Sequence, residues 1–479
     1  MKKPGPRYRR KPAAATQRLL GAQSADALRP PVVGLVSLGC CKNLVDSEVM
    51  LARIAESGAI ISADPALADT IVVNTCGFLA AAREEVLAAL SELAQRKRRG
   101  ELRRIVVAGC LVQRDGFSLR EAIPEIDALV DVHHREDVVR AVWQQDSRPG
   151  GGALSAAPAA SQAAPWSDRG RLRVTPRHYA YVRISEGCNQ KCTFCTIPSI
   201  RGPMRSKPPE EIVAECRELI ADGARELILI GQDTTSYGAD LGYEPGLAGL
   251  LRTLNAACDG ARWLRLMYAY PPAFAEAMID AIAECPRVVK YVDLPLQHIS
   301  DRVLKAMGRR VTRRQTERLL ERIRRRIPGV ALRSTFIVGF PGETEAEFGE
   351  LLEFVRSFGF AAAAAFRFSC EPGTAAARLP GQLPEQVKEE RYQRFMLAQQ
   401  EVALAAARQM IGQELEVLID GHLDRRGVWI GRHAGQAPEV DSVTQVRGRL
   451  RIGTFVKARC TGTADYDLLA RPVRERRQN

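Results

Sequence analysis

The sequence predicts an α/β protein in three folded parts: an N-terminal open parallel-sheet βα domain, a central (β/α)6 open barrel and a C-terminal small β-barrel. Three observations predict it. Short apolar runs alternate with amphipathic helical stretches through most of the chain, the pattern of parallel βα units. Between Trp143 and Arg173 that pattern lapses into Ser, Gly, Ala, Pro and Gln, including Pro149-Gly150-Gly151-Gly152, as in a flexible linker. After the helical stretch Glu385 to Met410, short alternating segments punctuated by Gly412, Gly421, Gly427, Gly431, Gly448, Gly453 and Gly462 read as a small β-domain. The expected boundaries are a basic disordered tail at 1–30, folded domains at 31–145, 173–405 and 406–473, a linker at 146–172 and a second basic tail at 474–479.

A chain of 479 residues has room for two or three domains, and its 46% apolar and 26% charged content is that of an ordinary globular protein. No apolar run reaches the roughly 18 residues of a spanning helix, so no membrane insertion is expected. The basic start is not followed by a continuous apolar segment, so a cytoplasmic protein is expected rather than an exported one. Its arginine-rich, acid-poor composition also suits an organellar transit segment, and a disordered tail is the favoured reading. The net charge of +13 suggests a nucleic-acid binder at first sight. The two ends carry +7 and +3 of it, however, so a basic stripe on the folded body is not expected.

In the first domain, strand-like Val32 to Leu38 runs into Gly39-Cys40 and then helical Lys42 to Glu56. Thr70 to Asn74 runs into Cys76 and then helical Leu79 to Arg96, and Arg104 to Ala108 runs into Gly109-Cys110. The cysteines are 36 and 34 residues apart, about one βαβ unit. Carboxyl ends of parallel strands share one edge, where open α/β sheets bind ligands, so Cys40, Cys76 and Cys110 are expected to meet. One such cysteine alone would read as a small buried residue. Cys41 is the doubtful member, because adjacent residues rarely both point into one site.

The central domain has six strand-like segments: Tyr179 to Ile184, Leu227 to Ile230, Trp263 to Tyr268, Tyr291 to Leu294, Arg333 to Val338 and Ala362 to Phe368. Its chemistry is expected at the strand carboxyl ends. Directly after the first strand comes Gly187-Cys188-Asn189-Gln190-Lys191-Cys192-Thr193-Phe194-Cys195, a C-x3-C-x2-C loop. Three thiolates in one short loop suit an iron–sulfur cluster, whereas zinc normally wants a fourth protein ligand and no His or Cys lies close by. A structural zinc or a ferredoxin-like cluster is the alternative reading.

This loop, at the end of the first strand of a six-fold βα barrel, resembles the radical S-adenosylmethionine superfamily. The resemblance implies a 4Fe-4S cluster on Cys188, Cys192 and Cys195 whose open iron chelates S-adenosylmethionine. Reductive cleavage of that cofactor would then yield a hydrogen-abstracting 5′-deoxyadenosyl radical. It further implies cofactor contacts from Gly231, Gln232 and Asp233 after the second strand, and from Gly339, within Ile337 to Glu343, after the fifth.

Over nearly the whole chain, Val32 to Val473, the resemblance is to methylthiotransferases. Ser37-Leu38-Gly39-Cys40, Asn74-Thr75-Cys76-Gly77-Phe78 and Gly109-Cys110 are similar to the domain in which three cysteines hold a second 4Fe-4S cluster, and the last segment resembles a TRAM domain. Related sequences usually have proline where this chain has Cys41. The family implies attachment of a thiomethyl group to carbon, with one S-adenosylmethionine giving a methyl group and another the radical. No protein side chain is expected as a catalytic acid or base. An electron donor and a sulfur donor are implied partners, and a monomer is expected.

Two branches divide the substrates. Cys40 to Glu48, Ile197 to Pro203, Gly231 to Thr235 and Leu294 to Ser300 resemble the branch that modifies the β-carbon of an aspartate in the twelfth protein of the small ribosomal subunit. Whether that protein is met free or within the subunit stays open. The alternative is the branch acting on transfer-RNA adenosine, and a non-enzymatic cluster-bearing RNA-binding or sensor protein is a third reading. Residues 407–470 carry nine Lys or Arg against eight Asp or Glu, too weak a balance for a domain clasping RNA phosphates. Glu414, Glu416, Asp420 and Asp424 could face a basic ribosomal protein, although any one of them reads first as a solvated surface charge.

Overall fold

The computed structural model describes residues 29–143, 166–423 and 427–473, and the expected tails at 1–28 and 474–479 and most of the linker lie outside these. The N-terminal domain follows the order β1 (Val32–Ser37), α1 (Cys41–Glu56), β2 (Ile60–Ile61), β3 (Thr70–Thr75), α2 (Ala80–Arg98), β4 (Arg104–Gly109), α3 (Cys110–Ala122), β5 (Ala128–Val130) and α4 (Val138–Trp143). Its strands form one parallel sheet in the order β2-β1-β3-β4-β5. β3 and β4 are buried along their whole length because helices cover both faces, which explains runs such as Ile71-Val72-Val73 and Ile105-Val106-Val107. The two outer strands, β2 and β5, were not anticipated, since two or three residues carry no readable period.

The central domain contributes β6 (Tyr179–Arg183), β7 (Ser185–Glu186), α5 (Ile197–Arg201), β8 (Arg205–Ser206), α6 (Pro209–Ala221), β9 (Glu226–Ile230), α7 (Gly246–Ala257), β10 (Trp263–Leu266) and α8 (Glu276–Glu284). There follow β11 (Tyr291–Asp293), α9 (Asp301–Ala306), α10 (Arg313–Arg326), β12 (Ala331–Val338), α11 (Glu345–Phe358), β13 (Ala362–Arg367) and α12 (Glu385–Gln409). All six expected strands are present, as two parallel three-stranded halves, β6-β9-β10 and β11-β12-β13, joined by an isolated bridge from Leu264 to Val288. β10 stops at Leu266 rather than Tyr268, because Tyr268 takes φ 62° and leaves the extended conformation. α12 continues to Gln409, past the boundary expected at 405.

The C-terminal part is a closed barrel of β14 (Glu414–His422), β15 (Val428–His433), β16 (Thr444–Arg447), β17 (Phe455–Ala464) and β18 (Asp467–Pro472), in the order β14-β15-β16-β18-β17. Among the described residues, no helix is long and apolar enough to cross a membrane.

The barrel strands alternate between two cores, as a period of two requires. Ala180, Val182, Leu227 and Leu229 pack outward under the helices. Tyr179, Tyr181, Ile228, Trp263 and Tyr291 belong to a separate inner cluster. Into that cluster come Leu44 and Val45 of α1 and Leu418, Ala434 and Ala437 of the small barrel, so all three domains meet inside the lumen.

Buried ion pairs fasten the small barrel there. Glu226 accepts from Arg265 Nε at 2.7 Å and from Arg432 Nη1 at 2.6 Å, and Arg432 also grips Asp420, which His178 Nε2 meets at 2.8 Å. Burial would raise the Glu226 carboxyl, but Arg432 and Arg265 outweigh it and hold it below its ordinary value of 4.5. The stabilisation is therefore present above about pH 4.5 and is lost as pH falls below it. Glu226→Gln should cost about 3–5 kcal/mol, because Arg265 loses its buried counter-charge and Arg432 keeps only Asp420. Urea unfolding of the variant beside the parent checks this, and a cost within about 0.5 kcal/mol would place the network at the neutral level of surface substitutions.

One expectation is corrected. Residues 166–172 are no flexible linker: Asp168 is fully buried and Arg171 nearly so, and Trp166 lies against Arg183 and Lys207. The run of small residues ends at Pro165, and the charges beyond it are drawn inward by opposite charges.

Candidate functional site: two cysteine triads joined by a buried charge network

The carboxyl ends of β1, β3 and β4 are neighbours, and each leads into one cysteine. Cys40 is exposed just before α1, Cys76 is half-buried and Cys110 is buried at the start of α3. Gly39 takes φ 106°, and a Cβ there would come within 2.8 Å of Cys76 Cβ, so only glycine lets the first two loops meet. Asn43 of α1 ties the edge together, donating to Leu38 O at 3.1 Å and Thr75 O at 2.8 Å. Burial pushes the Cys110 thiol up to about 12, with Cys40 and Cys76 also raising it and Arg201 opposing. Burial likewise raises Cys76, with the Phe78 N–H opposing.

Cys41 is the first residue of α1 and points elsewhere, its Sγ 3.4 Å from the Tyr268 hydroxyl in the lumen. A first helical turn would also accept proline at this position.

The second triad follows β6. β7 pairs antiparallel with β8 and clamps the loop at both ends. Gly187 takes φ 77°, and a Cβ there would lie 2.2 Å from Pro203 O. N–H groups are aimed at all three sulfurs: Gln190 N at 3.4 Å from Cys188 Sγ, Ile197 N at 3.4 Å from Cys195 Sγ, and Arg309 Nη1 at 3.8 Å from Cys192 Sγ. Thr193 docks the loop on the end of α9 through Met307 O and Ala306 O. Burial pushes Cys188 up to about 11 and Cys195 up to about 12, against the Gln190 and Ile197 N–H groups.

All six cysteines are free thiols, and among the described residues no three His, Cys, Asp or Glu side chains have closed on a common point. The donor set fits 4Fe-4S clusters: soft sulfur, three per loop system, N–H groups at the sulfurs, and no carboxylate or imidazole within either triad. Loading must displace protons from thiols, a step that burial opposes at Cys76, Cys110, Cys188 and Cys195.

Gly231, Gln232 and Asp233 stand after β9 beside this loop. A Cβ on Gly231 would lie 2.6 Å from Ser185 Oγ. Asp233 is spent within the protein, accepting from Gln190 at 2.8 Å and from Thr235 and Ser236. Gln232 donates to Glu186 and keeps a buried Oε1 without a partner. Gly339 follows β12 with φ 74°, but the group that needs its missing side chain is Lys388, whose Cγ would lie 2.5 Å from a Cβ. Further buried polar atoms without a hydrogen-bond partner occur near these strand ends on Ser185, Thr196 and Arg309, whereas His298 Nε2 and Glu343 Oε1 face each other at 3.6 Å.

Between the triads lies a network that the sequence reading did not identify. Asp46 of α1 receives Arg183 at 2.7 Å, Arg201 at 2.8 Å and Arg135 at 3.1 Å. Asp168 receives Arg183, Arg135 and Lys207. Burial would raise Asp46, but Arg183, Arg201 and Arg135 outweigh it and hold it at about 2. One signal was available: Arg183 sits at an inward position of an otherwise apolar strand, where arginine needs a buried partner.

Of the acidic residues that could have faced a basic protein, Glu414 pairs with Arg459 and Glu416 with Arg262 at the surface, as solvated charges do, whereas Asp420 is drawn in between His178 and Arg432. Asp424 lies outside the described residues.

Comparison with known proteins agrees with this architecture. The Radical SAM superfamily matches residues 182–355, the uncharacterized protein family UPF0004 matches 32–131 and the TRAM domain matches 411–473. Among solved structures, the radical S-adenosylmethionine methyltransferase TsrM from Kitasatospora setae is similar in fold, with a TM-score of 0.53 at 17% identity over 73% of this chain and 74% of that one. Ribosomal protein uS12 methylthiotransferase RimO of Desulforamulus reducens is 43% identical over 92% of this chain and 99% of its own length. The RimO proteins of Anaeromyxobacter sp. (strain K), 45% identical over 91% of this chain and 92% of theirs, and of Geobacter sulfurreducens, 43% identical over 91% and 97%, are similar throughout. With both triads, the open barrel and the small β-barrel all in place, the chain belongs to the RimO family of radical S-adenosylmethionine methylthiotransferases, which use two 4Fe-4S clusters.

Proposed function

We propose that this protein methylthiolates the β-carbon of one aspartate of ribosomal protein uS12, in the cytoplasm, with Cys188, Cys192 and Cys195 holding the radical cluster and Cys40, Cys76 and Cys110 the second. The observation that carries it is the pairing of two cysteine triads across one buried network, in a chain similar over 92% of its length to a uS12 methylthiotransferase. When bound, the clusters and S-adenosylmethionine would supply the relay of the donor's electron, the hydrogen-abstracting radical and the methyl group, with the sulfur coming from the sulfur donor.

The chain's own residues hold and orient. Gln190, Ile197 and Arg309 direct N–H groups at the radical-cluster sulfurs, and the paired β7 and β8 keep that loop closed. Gln232 Oε1 and Ser185 Oγ offer acceptors for the cofactor's ammonium group. The lumen of the barrel is filled by packed side chains from all three domains. A sulfur donor and an electron donor complete the reaction, and the chain acts as a monomer.

The transfer-RNA alternative is not favoured, because the relatives similar over nine-tenths of the chain are named for uS12. A deletion strain should lose a methylthio group from one uS12 aspartate and keep methylthiolated adenosine in its transfer RNA, as read by mass spectrometry of both. Loss of the adenosine modification with uS12 unchanged would replace this reading with the other.

A further inference from the structure

We propose that Arg201 is a positioning residue for the N-terminal cluster, donating a charged hydrogen bond to the Cys110 sulfur and thereby setting that cluster's reduction potential. This rests on the two-cluster reading above. Arg201 ends α5, six residues beyond Cys195, yet its side chain leaves its own loop and enters the neighbouring domain. Nε stands 3.2 Å from Cys110 Sγ. Nη2 donates to Asn43 Oδ1, and Nη1 is shared between Asp46 Oδ2 at 2.8 Å and Glu186 Oε2 at 3.0 Å. The side chain is 3% exposed, so little water competes for these bonds. Two carboxylates and an amide hold the guanidinium plane, which leaves the Nε–H aimed at sulfur.

The physical consequence is directional. One-electron reduction adds negative charge to a cluster, and a cation hydrogen-bonded to a ligand sulfur favours that form. Arginine suits the task because its donors are fixed in one plane and its charge survives burial, whereas lysine offers a point charge on a flexible stem. Removing Arg201 also leaves Asp46 and Glu186 without one of their cations, which pushes the potential the same way. The residue belongs to the radical loop and acts on the other cluster, so it also holds the two triads in register.

The test uses full-length protein loaded with both clusters, titrated with dithionite and mediators and followed by electron paramagnetic resonance. Added S-adenosylmethionine marks the radical cluster, because the open iron of that cluster is the one that chelates the cofactor. In Arg201→Gln the S-adenosylmethionine-insensitive signal should move to more negative potential by about 59 mV, a tenfold change for a one-electron couple. The sensitive signal should move less. Arg201→Lys, which keeps the charge and loses the fork, should shift the same signal by a smaller amount in the same direction, and it carries the test if the glutamine variant fails to fold. Selective loss of the N-terminal cluster's iron in either variant also supports the role. An unshifted insensitive signal at parental iron content, or equal shifts of both signals, overturns it. Failure of the two-cluster reading looks different: the parent protein itself would then show a single signal.

Discussion

Cys192→Ala is expected to abolish cleavage of S-adenosylmethionine and methylthio transfer together, with 5′-deoxyadenosine below detection in an anaerobic assay with dithionite. A cluster held by three thiolates and left with two should not keep the iron that binds the cofactor. The change is clean, because the hydrogen bond found at Cys192 Sγ is the long contact to Arg309 at 3.8 Å. The loop stays clamped by β7 and β8 and docked through Thr193, so circular dichroism should match the parent. Cys188→Ala and Cys195→Ala should behave alike. Deoxyadenosine at the parental level from Cys192→Ala would remove the radical-cluster assignment.

The N-terminal triad should give a split outcome. In Cys40→Ala, Cys76→Ala or Cys110→Ala, deoxyadenosine formation should persist while the methylthio product falls below detection, because the radical loop is intact and the sulfur-bearing site is lost. Iron per chain should drop by half. Cys40→Ala is the sharpest form of the test, since Cys40 is exposed and its side chain makes no capping bond to α1. Cys110→Ala also removes the acceptor of Arg201 Nε, and through the Arg201–Glu186 contact it can reach the radical loop, so a partial loss of cleavage is expected there alone. Equal loss of both activities in a folded Cys40→Ala protein would argue against separate roles.

The placement of both triads was legible because it depends on period and spacing. A cysteine just beyond each of three parallel strands stands at the same sheet edge as the other two whatever the helices do, and three cysteines in one short loop need no tertiary information. The charge network was not legible. Asp46, Arg135, Asp168 and Arg201 come from four segments, and the sequence gives no reason to prefer these pairings over solvated charges until packing removes the water. The same blindness misplaced Asp420, read as surface and found between His178 and Arg432, and turned the buried segment 166–172 into linker. For Gly339, the resemblance named the position and the packing names the cause, since Lys388 occupies the space a side chain would need.

The shared lumen bears on how far this enzyme can be treated as a set of modules. Leu44 and Val45 enter it from one domain and Ala434 and Ala437 from another, to lie against the same tyrosines. A terminal domain exchanged for a foreign one must therefore bring its own piece of that plug, matched in shape to the barrel it receives. Asp441 accepting from Tyr291 and Glu439 accepting from Tyr179 extend the requirement to polar groups. Chimeras cut at the sequence boundaries would inherit a hole where the parent has a wall.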